Sequence, residues 1–245
     1  MINMRKTTAF ICCMLALCAC DKHDPILPGV RTAIFSGNQI KVLNQDIKNL
    51  PDAPVVIDNT DCKYSQDSSN IIWDGERRVF SGFATNNSVT SNQRPICEGK
   101  YLYAGLTTGE VVKLNPKTRQ IIWIADVYSR SNLTGGASMV DIVAPIVPYK
   151  KSVYAGGLGN AFCKINAASG VKQWCLDISV PVAFEIAGDY AFVVSADSNL
   201  YAISANNGDV LWRAKTDKVA APKYEKGIIF VGKQRINAEN GKNVK

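Results

Sequence analysis

"GDVLWRAKT", residues 208–216, joins a turn glycine to a strand built around a tryptophan. Much the same phrase occurs as "GVKQWCLDI" from Gly170 and as "RQIIWIADV" from Arg119. Extended backwards, the three give windows in one register: "YLYAGLTTGEVVKLNPKTRQIIW" at 101–123, "SVYAGGLGNAFCKINAASGVKQW" at 152–174 and "YAFVVSADSNLYAISANNGDVLW" at 190–212. Each window opens with aromatic and branched residues suited to strands. A turn of permissive residues follows ("TTGE", "GLGN", "ADSN"), then a short strand ("VVKLN", "FCKIN", "LYAIS") and a second tight turn before the tryptophan. Short strands joined by local hairpins bury their apolar faces only against neighbouring sheets, and radial stacking supplies those faces while leaving short edges. The expected fold class is therefore all-β, a partial β-propeller of four-stranded antiparallel blades. Trp123, Trp174 and Trp212 are its structural repeat residues, expected to pack between blades with each indole N–H seeking an acceptor.

Outward from these windows the repeat weakens. "GIIFVGKQRINAENGKNVK", 227–245, starts like another unit but reaches Lys245 where a tryptophan is expected, so it reads as a partial repeat lacking the turn and much of the second strand. Upstream, "NIIWDGERRVFSGFATN" from Asn70 contains Trp73 and reads as a divergent blade. Residues 61–245 are thus expected to form an incomplete propeller. Residues 20–60, with Pro25, Pro28, Pro51 and Pro54, read as a tether and extended region, in which "APVVID" is placed to close or edge the sheets.

The first 19 residues read as an export signal. Arg5 and Lys6 precede the short apolar run "TAFICCMLALCA", which is too short for a comfortable membrane span. Leu17, Cys18 and Ala19 before Cys20 resemble the lipobox of bacterial lipoproteins, which makes Cys20 the expected lipidation site. Acyl chains there would tether the domain by burying methylene groups. Of the eight cysteines, Cys12, Cys13 and Cys18 would leave with the signal, and Cys62, Cys97, Cys163 and Cys175 would remain. Four cysteines outside the cytoplasm permit two disulfides in three pairings. Cys163 and Cys175 lie symmetrically about the turn residue Ser169, placed either to bridge two antiparallel strands or to pack as two small buried residues.

Composition closes several function classes. His23 is the single histidine, which argues against histidine-based metal sites and against Ser-His-Asp or Cys-His hydrolysis. The net charge is +7, but the basic residues are scattered without an arginine-rich helix or an RNA motif, so no nucleic-acid partner is expected. Asp61, Asp141 and Asp197 read as solvated turn residues. No catalytic, cofactor-binding or metal-binding residue is assigned, and no cofactor is expected.

The "GxxxW" ending, kept in "GDVLW" and "GVKQW" and altered in "RQIIW", together with the "LYAIS"-type strand before it, resembles the PQQ-like β-propeller repeat. With the lipobox and "DPILPGVR" after Cys20, the chain resembles the BamB family, the propeller lipoproteins of the outer-membrane β-barrel assembly machine. That resemblance implies a non-catalytic periplasmic scaffold, lipid-anchored at the outer membrane, that binds the barrel-assembly core subunit and unfolded outer-membrane proteins. It also implies an eight-bladed ring, of which this chain carries about half, as a truncated or split product would. Asp21, following the lipidated cysteine, leaves inner-membrane retention open. The alternatives are a generic envelope protein-binding module, a non-functional fragment, or a fragment of a PQQ-dependent dehydrogenase, whose catalytic aspartate and calcium ligands have no counterpart in the motifs.

Overall fold

The computed structural model describes residues 40–85, 94–128 and 139–244, which lie within one compact unit, Asn38–Lys245. These residues contain eighteen strands and no helix. Sheet one is β1 (Tyr64–Gln66), β2 (Ile71–Asp74) and β3 (Arg77–Ser81). Sheet two is β4 (Ile96–Glu98), β5 (Tyr101–Gly105), β6 (Glu110–Asn115) and β7 (Gln120–Asp126). Sheet three is β8 (Val147–Tyr149), β9 (Ser152–Gly156), β10 (Phe162–Asn166) and β11 (Lys172–Leu176). Sheet four is β12 (Phe184–Ala187), β13 (Tyr190–Val194), β14 (Asn199–Ser204) and β15 (Val210–Lys215). Sheet five is β16 (Pro222–Glu225), β17 (Ile228–Val231) and β18 (Gln234–Asn237). Every sheet is an antiparallel meander whose strand order follows the chain.

The three sequence windows hold the second, third and fourth strands of sheets two, three and four. Their first strands, "ICE", "VPY" and "FEIA", are only three or four residues long and lie just upstream. Sheet five likewise begins at Pro222, before the expected start of the partial repeat. Its β17–β18 hairpin turns through Gly232 and Lys233 alone, which accounts for the shortened spacing.

One local device recurs at the turns that follow β6, β10 and β18. Asn115 and Asn166 each accept two backbone N–H groups through Oδ1, from Lys117 and Thr118 and from Ala168 and Ser169, and Asn237 Oδ1 accepts from Glu239 N. Such bonds mimic a backbone turn. Four residues on, Gly170, Gly208 and Gly241 donate their N–H to the carbonyls of Asn166, Ser204 and Asn237 and take φ of 74°, 82° and 72°. Beyond the turn, the pairing slips by one residue at the same repeat position in three sheets, between Lys113 and Leu114, Lys164 and Ile165, and Ala202 and Ile203. The bulge sets each tryptophan opposite Lys113, Lys164 or Ala202.

Four apolar seams join consecutive sheets. Ile72 and Val79 meet Leu102 and Val112 at the first, and Tyr103 and Trp123 meet Val153 and Ile165 at the second. Tyr154 and Phe162 meet Phe184 and Ile203 at the third, and Phe192 and Trp212 meet Tyr224 and Ile229 at the fourth. At the first seam Asn70, fully buried with φ 61°, adds a polar clamp. Its Nδ2 donates to Phe83 O and Thr107 Oγ1, and its Oδ1 accepts from Thr107 N, so the buried amide is satisfied.

Segment 40–57 is not a free tether. Leu43 N and Gln45 N donate to the carbonyls of Val210 and Leu211, pairing this segment in parallel with β15. Ile47 N then bonds Glu239 O, Asp52 O accepts from Lys226 N, and Val55 N bonds Ile186 O. Ile47 and Leu50 pack into the fourth seam, Val55 into the third and Ile57 into the second. The "APVVID" stretch therefore edges β12 through a single backbone bond and forms no regular strand. Just beyond it, Cys62 is joined to Cys97 of β4 across 35 residues of sequence.

The seams hold four tyrosines whose phenols are harder to ionise than usual. Burial raises Tyr103, with the Glu98 carboxylate adding to it, and burial raises Tyr201 and Tyr224 and pushes Tyr154 up to about 12. A group with a raised folded-state pKa stabilises the fold fully below its unfolded value, about 10 for tyrosine, and loses that contribution as pH climbs towards the folded value. Lys113, lowered by burial, works in the opposite direction and offsets part of the loss. The expected outcome is a melting temperature that is flat near neutrality and falls above about pH 10, with a shallower fall in Tyr154→Phe. Thermal melts followed by near-UV circular dichroism across that range check it.

Candidate interaction surface

The repeated tryptophans are spent on structure. A Cβ added to Gly170 would lie 2.7 Å from Trp123 Cγ, one on Gly208 would lie 2.9 Å from Trp174 Cδ2, and one on Gly241 would lie 2.7 Å from Trp212 Cε3. Each indole thus rests on the turn glycine of the next sheet, where only a residue without a side chain fits. Trp123 Nε1 donates to Ala167 O and Trp212 Nε1 to Ala238 O, both at 3.1 Å, from the same turns. Trp174 differs: its Nε1 has no acceptor among the described residues, and Tyr154 OH takes the equivalent carbonyl, Ala205 O, at 3.2 Å. Within each sheet the tryptophan also meets an aromatic of the second strand, at ring-centroid distances of 5.9, 6.1 and 6.2 Å. Trp73 stands apart in the middle strand of sheet one, donating to Asp67 Oδ2.

The remaining sequence-derived residues fall as follows. Cys20 lies outside the described residues, as does His23. Cys163 and Cys175 are register partners on β10 and β11 and are joined. Asp197 caps the β13–β14 turn: burial works to raise its pKa, but bonds from Asn199, Ser195 and Tyr201 hold it below the usual range. Asp141 was expected in a solvated turn and is instead buried, 2% exposed, because its backbone lies under Gly157. Among the described residues no three His, Cys, Asp or Glu side chains converge as a metal site would require.

Two features of chemical character escaped the sequence reading. Lys113, 6% exposed, donates to Ala167 O at 2.6 Å and lies 4.2 Å from the Tyr101 ring centroid, so a buried ammonium ties sheet two to sheet three. A cleft of about 740 Å³ opens between sheets three and four, with Asp177, Asp197, Tyr201 and Arg213 on its walls and Ile40 and Val42 of the crossing segment beside them. The tyrosine before Lys113's strand was a visible signal. The cleft depends on residues far apart in sequence and had none.

Antiparallel meanders stacked in chain order, locked by a tryptophan on the glycine of the next turn, define part of a β-propeller built from PQQ-like repeats. Residues 32–214 match the family described as outer membrane protein assembly factor BamB, and the chain belongs to that family. The protein of that name from Alkalilimnicola ehrlichii is 25% identical over 154 residues, covering 63% of this chain and 40% of the relative. Its namesake from Francisella tularensis is 25% identical over 147 residues, covering 59% and 32%. The chain therefore spans well under half the length of these curated relatives. In fold it resembles the crystal structure of BamB from Moraxella catarrhalis, with a TM-score of 0.59, 16% identity, and coverage of 80% of this chain and 61% of that one. It also resembles a quinohemoprotein alcohol dehydrogenase from Pseudomonas putida HK5, with a TM-score of 0.51, 14% identity, and coverage of 66% and 34%. The last two likenesses concern fold alone.

Proposed function

We propose that the chain is a non-catalytic scaffold that assists assembly of β-barrel proteins into the outer membrane, held at the periplasmic face of that membrane through a lipid on Cys20. The family match over residues 32–214 carries this reading. The architecture agrees with it: the buried Asn70 and Lys113 are engaged in joining sheets, the exposed Asp197 in capping a turn, and the loops and sheet edges remain for contact with other proteins. The partners are the core subunit of the barrel-assembly machine and unfolded outer-membrane chains. Among the described residues no helix is long and apolar enough to cross a membrane, a statement that does not bear on β-barrels.

The test is co-purification from the native envelope in mild detergent, using the full chain with an affinity tag at its C-terminus. Recovery of the barrel-assembly core subunit, lost when Cys20→Ala releases the chain from the membrane, is the expected result. Recovery of unrelated envelope proteins alone overturns the assembly role in favour of a generic binding module.

A further inference from the structure

β7 breaks the pattern set by its two counterparts. Ile121, Ile122 and Ile124 on this last strand of sheet two are 46%, 36% and 49% exposed. At the equivalent places β11 carries Lys172, Gln173 and Cys175, the cysteine engaged with Cys163. On β15 they are Val210, Leu211 and Arg213, and there the outer edge is already occupied, because Leu43 and Gln45 bond Val210 and Leu211 in parallel. The protein thus protects one outer edge with charge, covers a second with the crossing segment, and leaves β7, its longest strand, unpaired on its outer side among the described residues. A long apolar edge strand is a template for another strand.

The surroundings of β7 specify what fits. Val171, 63% exposed, follows the glycine on which Trp123 rests, so the apolar strip continues onto sheet three. Exposed Lys117 and Arg119 stand at the entry to β7, and exposed Lys172 stands on the neighbouring strand. Arg119 and Lys172 carry no acidic partner within salt-bridge distance among the described residues. Backbone groups on an open edge give affinity to an extended chain, side-chain pockets give it selectivity, and cations at one end select its charge.

We infer that the outer edge of β7 is a docking site for an extended segment of another polypeptide, one that adds as a strand, presents apolar side chains to Ile121, Ile122, Ile124 and Val171, and carries carboxylates at the end near Lys117 and Arg119. The inference does not depend on the barrel-assembly role, since any partner with such a segment would use the edge, and its failure would leave that role intact.

The experiment uses the full chain and a synthetic extended peptide of alternating valine and threonine with glutamates at one end. Expected are slowed backbone amide exchange at Ile121–Asp126 on peptide addition and an affinity that falls with salt. Ile122→Lys with Ile124→Lys, both on exposed positions, should keep the circular dichroism of the parent while weakening binding about ten-fold or more. A lysine-ended peptide should bind more weakly than the glutamate-ended one. Unchanged affinity in the double variant, or protection confined to other strands, overturns the site. So does binding to vesicles containing anionic lipid in preference to the peptide. Parent self-association that the double variant abolishes, seen by sedimentation without peptide, overturns it in favour of a second copy as occupant.

Discussion

Trp212→Ala is expected to destabilise the protein by about 3–5 kcal/mol, the cost of deleting a buried large aromatic, with Trp123→Ala close behind and Trp174→Ala least costly. Trp212 is 4% exposed, lies tilted against Phe192, donates to Ala238 O and fills the space above Gly241. Trp123 is 7% exposed and has the same kind of bond, to Ala167 O. Trp174 is only half-buried and its indole N–H has no acceptor among the described residues, so removing it also removes an uncompensated donor. The phenylalanine series isolates that term. Trp212→Phe should lose roughly 1 kcal/mol more than Trp174→Phe, since only the first forfeits a hydrogen bond. Urea unfolding followed by circular dichroism reads all of these. Equal losses at the three positions would show that the indole bond contributes nothing.

Gly208→Ala is expected to cost about 2–4 kcal/mol, from a left-handed backbone forced on a residue with a side chain and from a methyl pressed into the Trp174 ring. At Gly208 φ is 82° and the added carbon would sit 2.9–3.2 Å from three ring atoms. Gly170→Ala, against Trp123, belongs to the same class. The informative control is Arg119→Gly. Arg119 occupies the same turn position in sheet two with φ 60°, and sheet one carries its tryptophan in β2, so its last strand has none to lean on the turn. Glycine there relieves backbone strain but gains freedom in the unfolded chain, and the two offset to within about 1 kcal/mol. If Gly208→Ala proved as mild as Arg119→Gly, the indole-on-glycine contact would not be what fixes the glycine.

The register of the sheets was open to reading because turn chemistry and tryptophan recur at fixed spacing in windows 101–123, 152–174 and 190–212. A departure such as Arg119 is explained by its missing neighbour. The opening strands of each sheet were missed because three residues such as "VPY" carry too little alternation to stand out. The start of sheet five ahead of Gly227 is hidden for the same reason, since the four residues "PKYE" carry no more alternation than the other opening strands. Residues 40–57 are a different case. Ile47, Val55 and Ile57 have no strand period, because each drops into a separate seam while the backbone between them crosses from sheet to sheet. Asp141 shows the same limit: nothing local to "MVDIV" indicates that Gly157 covers it. The hydrophobic run "QIIWIAD" of β7 was in plain view, but as sequence it looks like any buried strand, and only its position at a sheet edge gives it meaning.

The segment that crosses sheets four and five also fixes an order of events. Residues 43–47 leave the ribosome, or pass through a translocation pore, long before their partners at 210, 211 and 239 exist as structure, and Tyr190 OH reaches Lys48 O across 142 positions of sequence. Each meander forms from hairpins that close within a few residues, whereas this crossing closes only once residues 210–239 have arrived. The earliest-made part of the described chain is therefore the last to settle. Until it does, the seams it covers stay open to water and to chaperones.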